Sequence, residues 1–183
     1  MNKKIAVVTG PCGGIGSAIV SQLINDDLHV VGLDIEQSQL DEMSSKYGTD
    51  FTSMTIDLTD ATAITEVFKE IAATFGGLDA LVNNVGNCFM SEFPNIPQQE
   101  FELQMSINFS AAFFCSQEAV KLMLPRPGIK KIVNISSNGA YNFDVFDPPH
   151  YRASKAALDN LTKDLARRYA TEGISVNSIA PAM

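Results

Sequence analysis

The sequence is poor in the residues that hold metals. It carries three cysteines, Cys12, Cys88 and Cys115, and two histidines, His29 and His150, all far apart. No metal-ligand spacing can be drawn among them, so no metal is expected. An odd, sparse set of thiols fits a reducing compartment. Basic charge is also scarce: 13 Lys and Arg stand against 21 Asp and Glu, a net charge of -8. With no basic stripe, nucleic acid and anionic membranes are poor partners. Long apolar runs are missing too. The opening MNKKIAVV sets two lysines before apolar residues, but the run stops at Thr9-Gly10-Pro11. That is too short for a signal core, and no stretch approaches a membrane span. These absences predict a cytoplasmic protein. At 45% hydrophobic and 19% charged, residues 1–183 read as one globular domain with a sizeable core.

What is present is alternation. Strand-like apolar runs at 4–9, 28–34, 51–57, 78–84, 129–136 and 174–179 are separated by helical spacings at 14–27, 36–47, 60–75, 97–123 and 151–171. The strands are nearly all apolar. This predicts an α/β fold: a doubly wound, Rossmann-like parallel sheet of six strands with helices on both faces. The stretch 139–150, with Asp144, Asp147 and Pro148-Pro149, reads as a loop.

TGPCGGIG, residues 9–16, lies between the first strand and the first helix. Backbone that approaches a phosphate closely cannot carry Cβ atoms, and a helix start offers free N–H groups and a positive dipole end. A tight structural turn is the other use of such glycines, and the spacing Gly10, Gly14, Gly16 is looser than G-x-G-x-x-G. Asp34 ends the second strand, 18 residues after Gly16. A carboxylate there accepts hydrogen bonds from adenosine ribose hydroxyls, and it could also cap the next helix. No lysine or arginine stands between Gly10 and Gly16 or directly after Asp34. A 2′-phosphate would meet a carboxylate without a cation, so NAD is favoured over NADP.

Tyr151 and Lys155 are four apart on a helix and share a face. A free phenol is a poor base at neutral pH, and a neighbouring ammonium favours its ionised form. Such a tyrosine can exchange a proton with an alcohol or carbonyl oxygen while hydride moves elsewhere; most pairs of this spacing are surface decoration. Asn108 falls on the apolar stripe Phe101, Met105, Ala112, Cys115, Ala119, Leu122. It is either a satisfied core amide or part of a water or proton relay. Ser136 and Ser137 end the fifth strand, where hydroxyls face a ligand crevice or cap the strand.

Thr9-Gly10-x-x-x-Gly14-Ile15-Gly16, Asp57-Leu58-Thr59, Asn83-Asn84-Val85-Gly86, Asn108, Ile132-Val133-Asn134-Ile135-Ser136-Ser137, Tyr151-x-x-x-Lys155 and Val176-Asn177-x-Ile179-x-Pro181 occur in that order. The ordered set resembles the short-chain dehydrogenase/reductase family over the whole chain. The resemblance implies nicotinamide-dependent oxidoreduction of a small alcohol or carbonyl compound. It makes Tyr151 the general acid/base and gives Lys155 two tasks, lowering the tyrosine pKa and holding the nicotinamide ribose. Ser137, with Ser136 as the fallback, would bind the substrate oxygen, and Asn108 would anchor a relay water. Thr9 to Gly16 would seat the pyrophosphate, Asp57 and Leu58 would contact the adenine, and Asn84, Gly86 and Pro181 would line the cofactor path. It also implies a homodimer or homotetramer whose interface uses the helices at 97–123 and 151–171.

Four departures from the family pattern stand out. Pro11 removes an N–H beside the phosphates, Val85 replaces the usual alanine, the interval from Ser137 to Tyr151 is one residue longer, and Ala182 stands where glycine is usual. Family members are longer. The resemblance therefore leads one to expect no carboxamide-holding threonine segment, substrate lid, last helix or seventh strand here, and weak catalysis. The competing reading is a non-catalytic member that binds a dinucleotide or a protein partner; the intact tetrad Asn108, Ser137, Tyr151, Lys155 argues for the enzyme. Substrate choice is expected from 87–97 and 139–150, where Phe89, Met90, Phe93, Tyr141, Phe143 and Phe146 suggest an apolar pocket.

Overall fold

The structure, a computed structural model, describes residues 3–128, 130–142 and 147–182. Ile129, Phe143, Asp144 and Phe146 lie outside them. The six strands are β1 (Lys4–Thr9), β2 (Leu28–Asp34), β3 (Phe51–Thr55), β4 (Ala80–Asn83), β5 (Lys130–Ile135) and β6 (Ile174–Ile179). They form one sheet in the order β3-β2-β1-β4-β5-β6, every pairing parallel. This is the Rossmann-like doubly wound fold. The order reverses beside β1, which pairs with β2 on one side and β4 on the other. The carboxyl ends of the strands flanking that reversal open a crevice.

The strands are apolar on both sides because both faces are covered. In β1, Ile5 and Val7 join one core with Phe68, Cys115, Met123 and Ile132, while Val8 joins another with Val20, Leu40 and Phe51. The alternation follows the two-residue period of a strand. Helices α1 (Gly14–Asn25) and α2 (Gln37–Tyr47) cover the second core. The first lies under α3 (Ala61–Phe75), α5 (Ala111–Met123) and α6 (Pro149–Tyr169). Phe68 is 1% exposed, and truncating such a side chain to alanine costs about 3–5 kcal/mol.

Local chemistry sets the helix ends. The Asp60 carboxylate accepts from the N–H groups of Thr62 and Ala63 and starts α3; Gly76, at φ +75°, stops it in the left-handed region. Pro149 opens α6, where its fixed φ suits the first turn. Tyr151 therefore lies inside that turn, two residues after the helix begins rather than at its start.

The single helix expected over 97–123 is α4 (Gln98–Met105), a π turn (Ser106–Ser110) and α5 in succession. A π turn carries one extra residue and rotates what precedes it by about 100°. The stripe drawn straight through therefore misplaces its first members. Phe101 is 47% exposed, and Gln104 is fully buried. From Asn108 onward, Ala112, Cys115 and Ala119 are buried as expected. Helix α6 packs beside α4, the π turn and α5. No helix among the described residues is long and apolar enough to cross a membrane.

Candidate active site

The loop after β1 is shaped by close backbone contacts. Gly10 has φ +62°, and its N–H donates to the Leu33 carbonyl at 2.9 Å. A Cβ on Gly16 would lie 2.1 Å from the Gly10 carbonyl oxygen, so only glycine fits there. Gly14 differs: a Cβ on it would meet nothing within 4 Å. The space over Gly14 is open to a ligand. Gly13 gives α1 no side-chain cap, and the first helical bond runs from the Ser17 N–H to the Gly13 carbonyl at 2.8 Å. The first-turn N–H groups and the positive end of the helix dipole are thus left without a side-chain partner, available to an anion.

Asn84 holds that loop to β4. Its Nδ2 donates to the carbonyls of Thr9 at 3.1 Å and Gly10 at 2.8 Å. In return the buried Thr9 hydroxyl accepts from the N–H groups of Asn84 at 2.9 Å and Val85 at 3.0 Å. Asn84 borders the cleft, together with Ile15, Gly86 and Pro181, and also braces it from behind. A Cβ on Gly86 would lie 3.2 Å from the Lys155 ammonium, so the bare backbone makes room for that group.

Asp34 sits at the end of β2 as placed from sequence. Its Oδ1 accepts from the N–H groups of Ile35 at 2.8 Å and Glu36 at 3.3 Å, and its Oδ2 from Cys12 at 3.4 Å. It borders a cavity of about 250 Å³ shared with Asp57, Leu58, Val85, Leu103 and Ile107. No lysine or arginine lines this cavity among the described residues. The Asp57 carboxylate is occupied locally, accepting from the N–H of Thr59 at 2.9 Å and its hydroxyl at 2.8 Å.

The other end of the crevice is an open cleft of about 500 Å³ that holds Ser137, Tyr151 and Lys155. Lys155 is 4% exposed, and its Nζ donates to the Ile135 carbonyl at 2.9 Å. Burial pushes its pKa down to about 8, against the pull of Asp159 and Cys88 in the other direction. Burial raises the pKa of the Tyr151 phenol; the Ser137 hydroxyl, hydrogen-bonded to it, acts the other way, and Cys88 and Asp147 add to the rise. The depression expected from Lys155 is thus not what the geometry gives. Its ammonium stands 6.0 Å from the Tyr151 ring centroid and is spent on a carbonyl.

The two serines at the end of β5 face different surroundings. The Ser136 hydroxyl is buried without a hydrogen-bond partner. The Ser137 oxygen accepts from the Gly139 N–H at 3.1 Å and meets the Tyr151 phenol. Asn108 occupies the centre of the π turn and is 1% exposed. Its Oδ1 accepts from the Asn87 N–H at 2.8 Å, and its Nδ2 donates to the Asn87 carbonyl at 2.9 Å and to Ser154 Oγ at 3.1 Å. Both polar atoms of the amide are engaged, tying the segment that follows Gly86 to α6.

Sequence reasoning passed over several buried polar residues nearby. Gln104 repeats the clamp, accepting from the Phe89 N–H at 3.0 Å and donating to the Asn87 carbonyl at 2.7 Å. The Asn83 amide donates to Asn134 at 2.8 Å and Ser116 at 2.9 Å, and Asn134 passes the chain to Thr162 at 2.8 Å. The buried His150 ring lies 3.2 Å from Glu100 Oε1, out of line for a hydrogen bond. Asp159, one turn beyond Lys155, is 4% exposed with neither oxygen in a well-aligned hydrogen bond. Three-four spacing read through the π turn concealed Gln104. The paired asparagines at 83 and 84 were the visible signal for the amide chain. The expected apolar pocket is not assembled by the described aromatic residues. Phe93 is 75% exposed in a separate groove with Phe101, and Met90 and Tyr141 are exposed.

The family described as short chain dehydrogenase matches residues 4–183. The chain is 32% identical to the 3α-hydroxysteroid dehydrogenase of Mediterraneibacter gnavus, across 100% of this chain and 74% of that protein. It superposes with a TM-score of 0.94 on a crystal structure of a short-chain dehydrogenase from Streptomyces avermitilis, 28% identical, covering 100% of this chain and 66% of that one. The chain thus spans just under two thirds of that protein's structure. The structure of ElxO with NADP bound matches with a TM-score of 0.92 at 28% identity, over 98% of this chain and 73% of that one.

Proposed function

Because this chain belongs to the short-chain dehydrogenase family, whose named relatives are oxidoreductases, we propose that it is an NAD-dependent dehydrogenase or reductase of a small alcohol or carbonyl compound. The observation that carries this reading is one crevice with two kinds of end. An uncapped helix start over bare Gly14 stands at one end; Ser137, Tyr151 and Lys155 converge at the other. The residues present fit a dinucleotide: the anion seat lies between Asp34 and the tyrosine. When bound, the nicotinamide supplies or takes up hydride.

The protein's own part is proton handling and positioning. Tyr151, with its pKa raised by burial, is protonated at neutral pH and suited to give its proton to a carbonyl oxygen. Ser137 holds that oxygen beside the phenol, its own oxygen steadied by the Gly139 N–H. Ser136 also borders the cleft, but its hydroxyl is buried and meets no partner, so Ser137 is the better placed of the two. Lys155 holds a ribose hydroxyl from the cleft floor. Asn108 acts as a positioning residue, because its amide is fully used on Asn87 and Ser154. Asp34 favours NAD: its carboxylate repels a 2′-phosphate, and no cation of the adjoining cavity offsets it.

The same reading pairs α4, α5 and α6 with a second subunit about a two-fold axis. Phe101 and Phe113 stand exposed on α4 and α5. Light scattering should give at least a dimer. The decisive measurement is NADH titration followed by turnover over a panel of alcohols and ketones. Turnover that vanishes in Tyr151→Phe while NADH binding persists supports the reading. A protein that binds no nicotinamide dinucleotide sinks it.

A further inference from the structure

Among the described residues, the part of the cleft around Tyr151 carries polar side chains. Asn138, Asn142 and Asp147 line it together with Ser137. The Asn138 N–H donates to the Pro181 carbonyl at 2.9 Å, which fixes the short turn after β5. The Asn142 amide donates to Asn138 Oδ1, leaving the Asn138 Nδ2 and the Asn142 Oδ1 for another partner.

Asp147 lies against this turn. Its Oδ2 occupies space only 2.4 Å from where a Cβ on Gly139 would stand, so the carboxylate rests on bare backbone. After burial, its charge is among the influences that raise both the Tyr151 phenol and the Cys88 thiol. It lines the same cleft as both of them. The Arg152 guanidinium is engaged with the carbonyls of Gly139 and Asn142, each at 3.0 Å. The Lys155 ammonium is engaged with Ile135. No hydrogen bond from a described residue reaches the Asp147 carboxylate.

A ligand that fills the cleft displaces water from this half-buried carboxylate and has to supply a donor in its place. An apolar substrate would leave Asp147 and the asparagine amides unpaired. A substrate bearing its own carboxylate would be repelled by Asp147. A neutral hydroxyl satisfies both sides, since its O–H donates to the carboxylate and its oxygen accepts from an amide.

We propose that the site takes a neutral, hydroxyl-rich substrate, a polyol or the corresponding keto-sugar, with Asp147 accepting a hydrogen bond from a hydroxyl near the reacting carbon. This rests on the dehydrogenase reading above. The oxidation balances as alcohol plus NAD⁺ giving ketone, NADH and a proton. The C–H bond breaks as hydride, and the O–H proton passes to Tyr151 once its phenol is ionised at alkaline pH; in the reverse direction the protonated phenol gives its proton to the carbonyl oxygen.

The test is calorimetric binding to the NAD⁺-loaded protein, with turnover as a second readout. The probes are pentitols and hexitols, the aldonates of the same carbon skeletons, and cyclohexanol. At least one polyol should bind about tenfold tighter than its aldonate and than cyclohexanol. Asp147→Leu should weaken polyol binding by about tenfold or more with NADH affinity unchanged, and Asp147→Asn should narrow the gap between polyol and aldonate. The proposal is overturned if no polyol outranks both comparison classes, or if Asp147→Leu binds polyols as well as the unmutated protein does. A protein that binds no NADH overturns the dehydrogenase reading itself. Intact NADH binding with the wrong ligand order overturns only the substrate class.

Discussion

The two ends of the crevice are made of different material. Around Gly10, Gly14 and Gly16 the walls are backbone: carbonyls, amide N–H groups and a helix start, with side chains kept out by distances as short as 2.1 Å. Around Tyr151 the walls are side chains drawn from distant parts of the chain. Asn108 reaches Asn87 across 21 positions and Ser154 across 46. A site built from backbone is broken by adding atoms. A site built from side chains is broken by changing them. The two ends should therefore fail in different ways, and substitution can separate them.

The sharpest separation is Tyr151→Phe. Turnover should fall by about a thousandfold or more, because the exchangeable proton is gone, while NADH affinity should stay within about twofold of the original. A variant that keeps more than about a tenth of the rate would remove the tyrosine from proton transfer. Next in size is the glycine contrast. Gly16→Ala drives a Cβ into the Gly10 carbonyl and should cost about 2 kcal/mol of folding stability in urea unfolding, together with dinucleotide binding. Gly14→Ala should leave stability within about 0.5 kcal/mol and weaken binding alone. Equal stability losses at the two glycines would erase the distinction between packing and ligand space.

Asp34 gives a smaller effect at the backbone-built end. NAD should bind at least about tenfold tighter than NADP, and Asp34→Ala should narrow that ratio. Equal affinities in the unmutated protein, measured by titration, would sink the charge argument. The remaining effect is a pH dependence carried by Lys155. Its pKa in the folded protein, about 8, lies below the ordinary 10.5. Between those values the unfolded chain holds the extra proton, so stability rises with pH there. Thermal melts of the unmutated protein relative to Lys155→Met should show this rise between about pH 8 and 10.5. A flat difference would place the lysine in wetter surroundings than the structure gives it.

Legibility in the sequence followed the same divide. β1, β2 and β6 keep the bounds read from their apolar runs, and the glycine loop with Asp34 stands where its spacing put it. Those features depend on local periodicity and on backbone freedom, which short stretches of sequence encode. Tyr151 and Lys155 were legible because one helical turn brings them into the same cleft. The π turn was not legible, since a constant helical period admits no extra residue, and so Gln104 and Phe101 exchanged places. The difference between Ser136 and Ser137 depends on how the end of β5 meets β6 and α6. The polar lining around Asp147 depends on a turn held by Pro181, 43 positions on from Asn138. No local pattern carries either.

The four hydrogen bonds that join Thr9 and Gly10 to Asn84 and Val85 have a consequence in time rather than in energy. The loop they fix is already in its final shape before any anion arrives, so capture requires no ordering step. Association should be a single collision-controlled event, with an observed rate that climbs linearly with dinucleotide concentration and shows no plateau. Speed at this doorway is then set by diffusion and charge, and any slow phase in the working cycle belongs further inside.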